Sequence, residues 1–189
     1  APTANRSFIM GAAGTRLTTK TDAQLSPIQG SSHTKVVGDA IPNSGNPVAD
    51  KYITRKGSGE FPGGMSWSWK NNSAPSTAEA GKFTYTAIAR YQDNSTSEDA
   101  NSGSDGTVTL NVKPKQPIIT TSVANKKGET NQQITVNVGS GVPKGSTVKI
   151  YDGNTVIGTG TTNGETATVT VKGALPGNPI TAETVVTNT

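Results

Sequence analysis

His33 is the only histidine in the 189-residue chain, so acid–base chemistry would have to begin there. It sits in the polar run Ser31-Ser32-His33-Thr34. Proton transfer needs an imidazole oriented against a nucleophile and a carboxylate, and no Gly-x-Ser-x-Gly elbow is present to supply the nucleophile. Cysteine is absent, which removes a thiolate nucleophile, thiolate metal sites and disulfides together. His33 therefore reads as an exposed loop histidine. Asp93, Glu98, Asp99 and Asp105 surround one polar segment and carry the oxygen ligands that Ca²⁺ prefers. Their order lacks the Asp-x-Asp-x-Asp-Gly spacing of an EF-hand loop, and they read as a solvated acidic loop. A hydrolase of cell-wall polymer would need a carboxylate pair in a cleft, which nothing in the sequence nominates. The expectation is a non-enzymatic chain with no cofactor, no metal site and no catalytic residue.

Binding chemistry is the remaining class. The net charge is +4 and the isoelectric point about 9.3. No run of five to eight basic residues occurs and the aromatics do not interleave with them, so nucleic acid is not an expected partner. Lys113, Lys115, Lys126 and Lys127 are the candidate ligand contacts, through weak attraction to anionic polymers such as teichoic acid or sulfated glycans. The competing reading is that they keep a linker and its neighbouring loop soluble. Trp67 and Trp69, two apart, share one face of a strand. Exposed, they would offer a platform for a sugar ring; buried, they would form a core with Phe83, Tyr85 and Tyr91. Aromatics make up only 5% of the chain, and a small core needs them, so the core is the expectation.

The elements that hold these residues are strands. A hydrophobic fraction of 31% with 22 glycines and 11 prolines suits two small sandwiches better than one thick body. The pivot is Gly106–Pro117: Val108, Leu110 and Val112 alternate as in a half-buried strand, and Pro114 and Pro117 then remove two ladder donors. Before it, strands are expected at Thr34–Val37, Met65–Lys70, Lys82–Gln92 and Thr107–Val112. Asp50–Arg55 is a short helix or a strand, and Ser97–Asp105 a mobile insertion. Ala1–Ser32 reads as an irregular arm with an edge strand around Arg6–Met10. After it come Ile118–Val123, the alternations of Ile134, Val136 and Val138 and of Val148 and Ile150, and Thr155–Thr161. Ala167, Val169 and Val171 alternate next, and Ile180–Thr187 closes. Hairpin turns are signalled at Asp152-Gly153-Asn154 and Asn163-Gly164. About seven short strands with turns every 8–12 residues or so match an Ig-like sandwich. The fold class expected is all-β, two tandem β-sandwich (Ig-like) modules: an arm plus first module at 1–113, a linker at 114–117 and a second module at 118–189. No run of 18 apolar residues occurs, and Ala1–Met10 lacks the apolar stretch of a signal peptide, so the chain reads as an internal excerpt.

Several phrases carry a family resemblance. Phe61-Pro62-Gly63-Gly64-Met65-Ser66-Trp67, Pro75-Ser76-Thr77, Gly81-Lys82-Phe83 and Tyr91-Gln92-Asp93-Asn94-Ser95-Thr96 together resemble the Rib/alpha-like repeat of Gram-positive surface proteins over roughly Lys35–Pro114. The sequence departs from that pattern at Gln92, where proline is usual, at Asn94, where glycine is usual, and in the extra segment Ser97–Asp105. Asn131–Val136, Gly145–Val148 and Tyr151–Gly158 resemble phrases of bacterial Ig-like repeats in staphylococcal wall-protein stalks. The pair is similar to the repeat-bearing end of the giant extracellular-matrix-binding proteins of staphylococci. The resemblance implies an extracellular segment of a bacterial cell-surface protein, anchored in wall or membrane through parts outside this chain. It further implies a role in adhesion and virulence, as a stalk or as a module that binds a host matrix protein or glycan. The partners implied are neighbouring modules of the same chain, host extracellular matrix or cell-wall polyanions, and the segment itself is expected to be monomeric.

Overall fold

The computed structural model describes residues 16–30, 32–187 and 189; the strand expected around Arg6–Met10 lies outside them. The described chain is all-β, with a single 3-10 turn at Lys70–Asn72. Its strands are β1 (Leu25–Pro27), β2 (His33–Val36), β3 (Ile53–Arg55), β4 (Ser66–Trp69), β5 (Gly81–Arg90), β6 (Thr107–Lys113), β7 (Ile118–Ile119), β8 (Gln132–Asn137), β9 (Thr147–Asp152), β10 (Thr155–Asn163), β11 (Thr166–Val171) and β12 (Thr181–Val185). They form a two-stranded sheet β1-β3, a four-stranded sheet in the order β2-β6-β5-β4 and a six-stranded sheet in the order β12-β9-β10-β11-β8-β7.

The chain divides into two compact units, and the division does not fall at the prolines. One unit draws on the described part of Ala1–Ser31, on Pro42–Ala74 and on Tyr85–Val108; the other on Ser32–Ile41, Pro75–Thr84 and Thr109–Thr189. The boundary thus runs through β5 and β6.

In the first unit, β1 pairs antiparallel with β3, Leu25 opposite Arg55, and β4 pairs antiparallel with β5, Trp67 opposite Ala89 and Trp69 opposite Ala87. The undecided segment Asp50–Arg55 therefore contains a strand. Leu25, Tyr52, Ile53, Ala87, Ala89, Tyr91 and Val108 are buried. Trp67, Trp69, Phe83 and Tyr85 are only half-buried, so of the expected aromatic core Tyr91 alone is buried; Tyr52, which was not expected there, is buried as well. β4 ends its sheet, and a side chain on an end strand has neighbours on one side only; the small Ala87 and Ala89 opposite leave the tryptophans no deep pocket.

Ser97–Asp105 is not a loose insertion. The Ser97 N–H donates to the Ala89 carbonyl at 2.9 Å, and the Ala89 N–H to Ser97 Oγ at 2.9 Å. The Asp105 N–H donates to the Leu25 carbonyl at 2.9 Å, and the Leu25 N–H to Ser104 Oγ at 2.8 Å. Short serine side chains reach backbone groups that no strand partner satisfies, and this polar segment is held by hydrogen bonds where an apolar one would be held by burial.

In the second unit, the inward residues of β8, β9, β11 and β12 make an aliphatic core: Ile134, Val136, Val148, Ile150, Ala167, Val169, Val171 and Ala182, with Val138 and Leu175. β10 changes partner along its length. Residues 155–161 pair with β9, and Thr162 and Asn163 pair with β11, with a register irregularity between Val156 and Gly158. A strand that switches partners folds a sheet over on itself, an arrangement compatible with a β-sandwich. At that fold the backbone of β10 runs against β11: a Cβ on Gly160 would lie 2.6 Å from the Thr168 carbonyl oxygen. Both hairpin turns form as expected, Asp152 opposite Thr155 and Asn163 opposite Thr166, with Gly153 and Gly164 at φ of 59° and 65°. The strand expected over Ile118–Val123 is limited to Ile118–Ile119, and the sheet has six strands where about seven were expected.

Candidate functional site

Residues 114–117 follow β6 directly, and both sides of this connector are tied within the second unit. The Val37 N–H donates to the Lys113 carbonyl at 2.9 Å, and the Gly38 N–H to the Thr77 carbonyl at 3.0 Å. Thr77 is buried, and its hydroxyl donates to the Asp39 carbonyl at 2.6 Å. The Ala80 N–H then donates to the Gly141 carbonyl at 2.8 Å, in the turn that follows β8. Lys115 lies beside two glycines that leave room for it. A Cβ on Gly139 would sit 3.2 Å from Lys115 Cδ, and one on Gly38 would sit 3.7 Å from Lys115 Cε.

A groove of about 770 Å³ lies between this connector and β12. One wall is Lys113–Pro117, the other is Thr181–Val185, and Lys149 and Tyr151 of β9 contribute to its lining. β12 ends its sheet: it pairs with β9 alone, Glu183 opposite Lys149 and Thr181 opposite Tyr151. Among the described residues, 181–185 make no other backbone hydrogen bond, so one edge of β12 carries unpaired donors and acceptors. The Tyr151 hydroxyl donates to Glu183 Oε1 at 2.9 Å, and this bond is the main reason the phenol titrates above its usual range, with burial and the carboxylate charge adding to it. Thr184 is buried on the core-facing side of β12, and among the described residues its Oγ1 has no hydrogen-bond partner.

Of the four lysines nominated from the sequence, Lys113 and Lys115 line this groove. Lys126 and Lys127 belong elsewhere. The Lys126 ammonium donates to Gln132 Oε1 at 3.0 Å, and the Lys127 stem lies against Gly177. Strand register separates the pairs: Gln132 starts β8, whereas the connector enters at Ile118, opposite Asn137 at the other end of β8. Lys149 replaces them as the third groove lysine. Its outward alternation with Val148 and Ile150 was readable, but its place beside the connector depends on the β9–β12 pairing, which sequence spacing does not give.

The other candidates are spoken for locally. His33 starts β2 opposite Leu110, half-buried; burial first, and Lys35 second, hold its imidazole below the usual range, which favours the neutral form. The four acidic residues each have their own partner. Asp93 accepts from the Ser95 amide and hydroxyl, and Asp99 from the Thr96 amide and hydroxyl. Glu98 pairs with Lys70 at 3.1 Å, and Asp105 accepts from the Thr107 N–H. Among the described residues no three His or acidic side chains are grouped to hold a metal ion. Trp67 packs edge-to-face on Phe61, centroids 5.3 Å apart, and both line a second groove of about 560 Å³ with Lys51, Arg55 and Glu60. Arg55 is committed there, donating to the carbonyls of Glu60 and Asp22. No described helix is long and apolar enough to cross a membrane. No protein-family model and no solved structure matches this chain.

Proposed function

We propose that this chain is a non-enzymatic stalk or adhesin segment of a bacterial surface protein, built as a Rib-like module followed by a bacterial Ig-like module, which supports cell-surface attachment from outside the cell. The resemblance of Lys35–Pro114 and Pro117–Thr189 to such repeats supports the class. The observation that carries the mechanical part is the bracing of the connector. An unsupported proline connector resists collapse only through its own stiffness. This one is flanked by Lys113, held by Val37, and by the turn after β8, held by Ala80. A load passing from β6 to β7 is therefore shared among backbone hydrogen bonds in parallel segments, as a surface stalk requires.

The test has two arms. Antibody against this chain labels intact, unpermeabilised cells of its source bacterium, and protease applied to those cells removes the epitope; labelling only after permeabilisation overturns the surface reading. Single-molecule pulling of the chain between its ends shows a resistance that falls when Gly141→Ala disturbs the brace. Equal unfolding forces in the two proteins overturn the mechanical reading.

A second reading, a module that itself binds a matrix protein or glycan, is favoured by the groove beside β12, with its free strand edge and three lysines.

A further inference from the structure

We infer that the groove between the connector and β12 takes an extended acidic peptide, which adds a strand to the free edge of β12. This names the partner class for the attachment role and rests on that reading. Two observations converge. Among the described residues the edge is unpaired: β12 bonds only to β9, and the chain entering β7, which passes beside β12 without bonding to it, has Pro114 and Pro117 in place of two backbone donors. A strand pairs with such an edge through main-chain hydrogen bonds, and five residues at ~3.3 Å each give about 16 Å of it. The charge is one-sided: Lys113, Lys115 and Lys149 line the groove against one carboxylate, Glu183, which already accepts from Tyr151. An acidic partner is attracted and a basic one repelled. A peptide is favoured over an acidic glycan or phosphate polymer because the wall facing the lysines is a strand edge, whose alternating donors and acceptors match another backbone.

The experiment uses the whole chain with a fluorescein-labelled, end-capped octapeptide of alternating threonine and glutamate, TETETETE. The comparators are TKTKTKTK and polyphosphate. Anisotropy reads affinity, and amide hydrogen exchange reads which backbone groups become protected. The glutamate peptide is expected to bind and to slow exchange at 181–185. Replacing Lys113, Lys115 and Lys149 together by glutamine is expected to weaken it about tenfold or more. Four results overturn the inference: no binding, equal binding of the lysine peptide, binding without protection at 181–185, or a dimer in solution whose β12 amides are already protected by a second copy. Peptide binding by the purified chain does not depend on cellular location, so a surface-labelled protein that ignores the peptide loses this inference alone.

Discussion

The Ala80 N–H points at the Gly141 carbonyl, 2.8 Å away, and joins the segment that leads into β5 to the turn that follows β8. Gly141 has φ of 77°, and a Cβ there would lie 2.3 Å from the Ala78 carbonyl oxygen and 2.9 Å from Val37 Cγ1. Backbone conformation and space both select glycine at this position. Gly141→Ala is expected to cost about 1–3 kcal/mol and to open residues 113–118 to proteolysis. Urea unfolding and limited digestion measure the two effects; an unchanged midpoint with an unchanged digest would refute the brace. Pro114→Gly with Pro117→Gly, which leaves the hydrogen bonds in place, is expected to loosen the connector less than Gly141→Ala does, as read by hydrogen exchange at 115 and 116.

Gly160 tests the fold of the six-stranded sheet. Its backbone passes against β11, with the Thr168 carbonyl oxygen and Val169 Cγ2 at 2.6 and 3.1 Å from any added Cβ. The nearest of these, the Thr168 carbonyl, belongs to the backbone, which cannot rotate away as a side-chain tip does. Gly160→Val is expected to lose at least about 1–3 kcal/mol in spite of the better strand propensity of valine. The exposed neighbour Thr161→Val serves as control, and equal thermal midpoints for the two variants would contradict the close approach.

Tyr91 is the buried anchor of the first unit, and its hydroxyl donates to the Ala23 carbonyl two residues before β1. Burial pushes the phenol above its usual range, and the Ser104 hydroxyl bond pulls it back in part. Tyr91→Phe keeps the ring but leaves a buried carbonyl without its donor, at a cost of about 1–3 kcal/mol. Faster exchange at residues 24–26 is expected with it. Retained protection there, with the same stability, would show that β1 is held by its pairing with β3 alone.

What was legible in the sequence follows from period two. The alternations at Thr107–Lys113, Gln132–Asn137, Thr147–Asp152 and Thr166–Val171 each bury every second residue, so the strands and the Asn163-Gly164 turn could be read directly. β1 could not be read that way. It buries Leu25 alone and is held by Ser104 and Asp105, whose nearness is a tertiary fact. Ser97–Asp105 escapes for the same reason: its composition suits solvent, yet Ser104 serves the Leu25 N–H, 79 residues away in sequence. Two of the three groove lysines were visible. Lys113 and Lys115 are adjacent to the prolines, whereas Lys149 joins them through strand pairing and Lys126 leaves them because a sheet's length separates the two.

Three surface carboxylates contribute to the acid stability of the first unit. Asp22 is held below its ordinary range chiefly by the Arg16 guanidinium, at 3.1 and 3.2 Å. Asp93 is lowered by the Ser95 hydroxyl and then its amide, and Asp99 by the Thr96 amide and then its hydroxyl. A carboxyl whose folded pKa lies below the unfolded one stabilises fully above the unfolded value, about 3.9, and that contribution is lost as the pH falls through the folded value. The contribution of these carboxylates is therefore expected to be complete above about pH 4 and to fade below it. Ser95→Ala removes the leading cause at Asp93 and should bring its titration back towards the ordinary range, as followed by carboxyl carbon shifts in NMR. Because Ser95 and Thr96 are neutral donors, added salt should leave Asp93 and Asp99 nearly unmoved while the charge contribution of Arg16 to Asp22 is screened. An Asp93 titration that ignores Ser95→Ala would remove the turn as its cause, and a salt-sensitive one would point to distant charge.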